Sequence, residues 1–68
     1  MSYKVQGTGW QIPGGTATLF ASSAIDALTK LREMRRRYDI HDSAHVYFNA
    51  AIISEEYLYQ KAQEEVIH

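Results

Sequence analysis

Arg35-Arg36-Arg37-Tyr38, with Arg32 one helical turn earlier, is the densest run of charge in the chain. Guanidinium groups contact phosphate oxygens, and a tyrosine beside them can stack on an unpaired base. Arg32, Arg35, Arg36 and Arg37 are therefore the nucleic-acid candidates. The competing account is a solvated helix end, in which the arginines complement the helix dipole and pair with Glu33. RNA-recognition folds place basic residues and aromatics on a sheet, whereas the lysines and arginines here gather mainly on one helical segment. His41 and His45, beside Asp39 and Asp42, are zinc-ligand types. A zinc site needs three or four ligands on rigid elements, however, and these sit in or beside a loop, so no metal is expected. Gly7-Thr8-Gly9 lacks the lysine and the strand-to-helix step of a phosphate loop. Ser22, Ser23 and Ser54 sit where helices begin, with no histidine-carboxylate pair placed to activate them. No catalytic residue and no cofactor is expected, and the chain reads as a non-enzyme.

What stands out instead is apolar and aromatic surface. Both parities of the first hairpin carry large apolar residues: Tyr3, Val5 and Phe20 on one, Trp10, Ile12 and Leu19 on the other. A sheet covered by helix on one face leaves the second set exposed unless the last helix folds over it. Tyr47, Tyr57 and Tyr59 enlarge that surface, and Trp and Tyr are the residues most enriched at interaction hot spots. Trp10, Ile12, Tyr47, Tyr57 and Tyr59 are the protein-interface candidates.

The elements that must position these residues follow from punctuation and periodicity. Sixty-eight residues make one domain, 1–68, whose single core supplies only about 3–5 kcal/mol of net stability. There is no cysteine, so disulfides contribute nothing and a partner chain is a natural route to extra stability. The formal charge of −1 argues against global attraction to nucleic acid or anionic lipid. The longest apolar run, Ala50 to Ile53, is far short of the ~20 residues of a membrane span. The first residues do not follow a signal-peptide pattern, so the expected location is cytoplasmic.

Tyr3 to Ile12 reads as a strand bent at Gly7 and Gly9. Pro13-Gly14 suits a type II turn, and Thr16 to Ala21 is the returning strand. A turn centred there sets Trp10 opposite Ala17 and Gly7 opposite Phe20. Ser22 or Ser23 caps a helix running to Tyr38, with Asp26 in the capping-box position. Its apolar stripe is Ala24, Ala27, Leu28, Leu31, Met34 and Tyr38, and Asp26–Lys30 and Glu33–Arg37 are i,i+4 pairs on the opposite face. Asp39 to Ser43 is a polar loop. His45 to Asn49 alternates as a half-buried third strand with Val46 and Phe48 inward. Ile52 and Ile53 form either a short fourth strand or a linker. Ser54 caps the last helix, whose stripe of Leu58, Ala62 and Val66 is narrow, and Ile53 staples against Leu58.

The fold class is α+β: a small antiparallel sheet, a β-hairpin plus one or two further strands, packed on one helix, with a C-terminal helix, ββαβ(β)α. The order of elements, with Ala21-Ser22-Ser23-Ala24, Asp26-Ala27-Leu28, Arg32-Glu33-Met34-Arg35 and Ser54-Glu55-Glu56-Tyr57-Leu58, resembles small uncharacterised ββαβ-type proteins of bacterial genomes, phages and mobile elements. Such proteins include inhibitors that bind a host or defence enzyme, which is what the resemblance implies as one option. The leading functional expectation is a non-enzymatic protein-interaction module, with an unidentified protein partner or self-association as a homodimer. The alternative is a nucleic-acid-binding accessory protein that uses the arginine cluster.

Overall fold

In the computed structural model, which describes residues 2–40 and 42–67, the chain forms β1 (Tyr3–Thr8), β2 (Thr16–Ala21), α1 (Ala24–Tyr38), β3 (Ala44–Phe48), β4 (Ala51–Ile53) and α2 (Glu55–Ile67). The strands make one antiparallel sheet in the order β2-β1-β3-β4. This is the expected α+β class, and the segment after Asn49 is a strand rather than a linker. The expectation for His41 lies outside the described residues.

The first hairpin departs from the expected register. β1 stops at Thr8, and Gly7 opposes Ala17 while Lys4 opposes Phe20. A seven-residue connection, Gly9 to Gly15, replaces the two-residue turn. Two turns follow each other inside it: the Ile12 N–H donates to Gly9 O at 3.2 Å and the Gly15 N–H to Ile12 O at 2.8 Å. The Gly9 N–H closes the loop onto Gly15 O at 3.1 Å. The Pro13-Gly14 type II turn is present, with Gly14 at φ 80° in the position that demands a positive value. The longer loop reverses the assignment of faces. Leu19 joins Tyr3 and Val5 on the helix side, and Phe20 points the other way with Lys4. Trp10 and Ile12 belong to the loop and to neither strand face.

α1 starts as its sequence requires. Ser23 Oγ accepts the Asp26 N–H at 3.1 Å, and Ser23 O takes the Ala27 N–H at 2.9 Å. The expected stripe packs down on the sheet, with Ala24, Ala27, Leu31 and Met34 buried. At the far end Asp39 turns left-handed, φ 54°, and its N–H bonds Arg35 O. The Ile40 N–H reaches the same carbonyl at 3.2 Å. This reversal drives Ile40 into the core, only 4% exposed, so the Asp39–Ser43 segment is not a wholly polar loop. Ile40 and Met34 converge on Gly7, where a Cβ would meet Met34 Sδ and Ile40 Cδ1, each at 2.7 Å.

β3 and β4 are joined by Asn49-Ala50, φ 52° and 67°, the two positive values of a type I′ turn. On the helix side of the sheet, Val5, Leu19, Val46 and Ile53 share one lateral row. The Tyr3 and Phe48 rings meet beside it with centroids 4.8 Å apart. α2 begins where Ser54 Oγ accepts the Tyr57 N–H at 3.1 Å. It buries Leu58 and Ala62. Full burial of Met34, Leu58 and Val5 stabilises by about 1.5–3 kcal/mol per side chain.

Two contacts fix α2 antiparallel to α1. Arg35 Nη2 meets Glu55 Oε1 at 2.6 Å at one end. At the other, the Glu65 carboxylate accepts the Ala24 N–H at 2.7 Å and the Ile25 N–H at 3.0 Å. Glu65 thus satisfies two of the free N–H groups of the first turn of α1, and Ser23 satisfies a third. Both helices lie side by side in one layer. Among the described residues, none covers the second face of the sheet.

Candidate functional site

The uncovered face is set by strand parity. Phe20, Lys4, Tyr47 and Ile52 are successive cross-strand partners over all four strands and therefore form one lateral row. Thr18, Gln6 and His45 form the next row. Phe20 is 67% exposed and Ile52 59%. Lys4 Nζ lies 4.8 Å from the centre of the Tyr47 ring, a cation–π contact that holds the ammonium against that ring. A shallow hollow of about 220 Å³ opens at this end of the sheet, lined by Lys4, Phe20, Tyr47, Asn49 and Ala50 among others. No strand residue is acidic. The face thus combines apolar anchors, one cation and short hydrogen-bonding side chains.

The five interface candidates do not come together. Tyr47 is on the open face. Trp10, 91% exposed, stands at the hairpin loop. Ile12 is a correction: at 3% exposure it is a core residue and presents no surface, because the loop folds it back against the sheet end. Tyr57 and Tyr59 belong to α2, in the opposite layer. Lys61 Nζ lies 5.4 Å from the Tyr57 ring centre, and Tyr59 Oη accepts from Arg32 Nη2 at 3.0 Å. That hydrogen bond is the main reason the Arg32 pKa rises further above the usual arginine range, while the group stays open to solvent. An apolar groove beside it is lined by Ile25, Leu28, Tyr59, Ala62, Val66 and Ile67.

The arginine cluster is likewise divided. Arg32 and Arg35 are engaged by Tyr59 and Glu55 as fasteners between the helices. Arg37 leans on the ring of Tyr38, 5.7 Å to its centre. Arg36 and Arg37 remain exposed on the last turn of α1. Beside Arg35 an open groove of about 450 Å³ is lined by Asp42, His45, Ile52, Ser54 and Glu55. The Arg35 Nε is buried there, with no hydrogen-bond partner among the described residues.

No protein-family model, curated protein or solved structure matches the chain. The arrangement of side chains therefore carries the functional argument. Among the described residues, no three metal-ligating side chains converge, and no helix is long and apolar enough to cross a membrane. Ser23 and Ser54 are occupied as helix caps. Buried Tyr3 has its phenol pKa raised, first by burial and then by the nearby Glu65 carboxylate. The Tyr3 ring packs in the core against Phe48.

Sequence reasoning found Tyr47 but missed Phe20, Lys4 and Ile52 as its neighbours. The signal was present in the alternation of Thr18-Leu19-Phe20. Which parity turned outward depended on a loop two turns long.

Proposed function

We propose that this protein is a non-enzymatic interaction module that binds a protein partner through the open face of its sheet. One observation carries the reading. Among the described residues, nothing covers one face of the four-stranded sheet, and the one row of that face that crosses all four strands presents Phe20, Tyr47 and Ile52 around a single lysine. Exposed aromatic and aliphatic side chains on a rigid sheet bind at small entropic cost, since the backbone is already ordered. Trp10 at the loop extends the reach of the surface beyond the strands. An inhibitor that occludes a larger enzyme has these requirements and needs no catalytic group of its own.

Tagged protein is used to capture a partner from lysate of the source organism, with and without nuclease. Tyr47→Ala and Ile52→Asp are expected to abolish capture while leaving the far-UV circular dichroism unchanged. A partner retained by both variants refutes the assignment to this face.

A second reading takes a single-stranded nucleic acid as ligand. It is favoured by the absence of acidic residues from the strands and by the exposed Arg36 and Arg37 at the end of α1. It requires capture that disappears with nuclease and weakens steeply with salt. Arg36→Glu with undiminished binding removes it.

A further inference from the structure

β2 is an edge strand that carries no protection within its own sequence. It runs six residues, Thr16 to Ala21, with no charge and no proline, and its register with β1 is unbroken by a bulge. The hydrogen-bond pattern shows which of its groups face outward. The Gly9 N–H bonds Gly15 O, so Gly9 and Gly15 are a hydrogen-bonded pair, and strict alternation then makes Thr8–Thr16, Gln6–Thr18 and Lys4–Phe20 the non-bonded pairs. Thr8 confirms it by turning its N–H to Ser43 O on the β3 side, at 3.2 Å. Thr16, Thr18 and Phe20 therefore direct their N–H and C=O groups away from the sheet. One of these carbonyls is met from α1: Lys30 Nζ donates to Phe20 O at 2.7 Å.

We infer that this edge pairs with β2 of a second copy of the chain, making one continuous eight-stranded sheet. A two-fold axis perpendicular to the sheet keeps both helical layers on the same side and requires opposed residues of like parity. Centred on Thr18, it sets Thr18 opposite its own copy and Thr16 opposite the partner copy's phenylalanine. All three outward residues then become hydrogen-bonded pairs, and a threonine–threonine pair directly opposed is favourable. The inference rests on reading the protein as a binding module. It assigns self-association to the edge and leaves the open face to a different partner.

The helical layer is what selects a second copy over an arbitrary extended peptide. Asp26, Lys30, Glu33 and Arg37 lie at four-, three- and four-residue spacing and so share one face of α1. The Lys30 contact with Phe20 O shows that this face overlooks the β2 edge. Its charges alternate in sign. In an antiparallel copy, Asp26 comes opposite Arg37 and Lys30 opposite Glu33, so every pair is attractive.

The centre of this row coincides with the axis of the strands. From Ala21 back to Thr18 is about 10 Å along β2. From Ala24 to the midpoint of Lys30 and Glu33 is about 11 Å along α1, which runs the opposite way. α1 packs across β1, β2 and β3. The two helices thus stand three strand spacings apart, about 14 Å, within reach of two long charged side chains. Lys30 Nζ, which also pairs with Asp26 Oδ2 at 2.9 Å, leaves Phe20 O to the incoming threonine N–H and is shared between Asp26 and the glutamate of the copy.

Sedimentation of the purified full chain over a concentration series tests this. The wild type is expected at twice its 7.8 kDa. Thr18→Pro removes an outward N–H and no bond of the β1–β2 ladder, and Thr18→Lys sets two like charges on the axis. Both are expected to be monomeric, and the exposed lysine variant keeps the far-UV circular dichroism of the wild type. Glu33→Lys is expected to weaken the dimer about tenfold, since two exposed attractive pairs become repulsive. Tyr47→Ala, which tests the open face, leaves the dimer intact. A wild type that stays monomeric, or a dimer that survives both Thr18 variants, overturns the pairing and leaves the open-face reading standing. Loss of the dimer in Tyr47→Ala also overturns it, by moving the contact to the face.

Discussion

Gly7→Ala tests how tightly α1 is seated on the sheet. The added methyl would sit 2.7 Å from both Met34 Sδ and Ile40 Cδ1, well inside van der Waals contact, in a buried position on the central strand β1. Alanine improves strand propensity over glycine by about 0.5–1 kcal/mol, and that gain opposes the clash. Overpacking of a filled core costs about 1–3 kcal/mol, and because Met34 and Ile40 are themselves buried and have little room to give, the clash outweighs the gain and the variant is less stable by up to about 2 kcal/mol. In a domain of this size each kcal/mol lowers the melting temperature by about 4–8 °C. Ile40→Val removes the offending Cδ1 and alone costs about 0.5–1.5 kcal/mol. In the double variant, the methyl introduced at Gly7 would occupy part of the space that valine vacates. The two losses are then expected to fall short of their sum by about 1 kcal/mol. Urea unfolding followed by far-UV circular dichroism measures all three. A Gly7→Ala protein as stable as wild type, or a strictly additive double variant, refutes the account of this contact.

Three other outcomes follow from local geometry. Ala50 holds φ 67° in the β3–β4 turn, and Ala50→Gly is expected to raise stability by about 0.5–1 kcal/mol in thermal unfolding, relief of left-handed strain outweighing the added freedom of the unfolded chain. Glu65→Ala strips the carboxylate from the Ala24 and Ile25 N–H groups and is expected to cost about 1–2 kcal/mol in urea, with Glu65→Gln intermediate. Because the folded state raises the Tyr3 pKa, native protein holds that proton more tightly than unfolded chain. Its contribution is complete below the usual tyrosine value of about 10 and is lost as pH rises past it. Tyr3→Phe is expected to flatten that alkaline decline in a series of melts.

Much of the architecture was legible because local signals agreed. Ser23 with Asp26 marked the start of α1, the three- and four-residue spacing marked its buried face, and Ser54 marked α2. Alternation around Val46 and Phe48 oriented β3 correctly. The first hairpin differs from its expected register because Gly9, where the loop begins, looks the same in a sequence as a bend within a strand. That one slip sent Phe20 to the wrong face and Ile12 to the surface. Ile40 was invisible for another reason: a single apolar residue in a polar stretch has no period, and only the left-handed turn at Asp39 carries it inward. The arginines were easy to see, but their partners, Tyr59 and Glu55, lie on a helix that only the tertiary fold brings near.

The carboxylate that closes over the start of α1 comes from residue 65, some forty positions downstream. Until that side chain arrives, two backbone amides at the head of the first helix must be served by water, however well formed the hairpin and the helix are. With α2 undocked, those two N–H groups lose their carboxylate partner, so the first turn of α1 is complete only when α2 is in place. This ties the head of α1 to the far end of the sequence and makes the stability of that first turn depend on a residue some forty positions away.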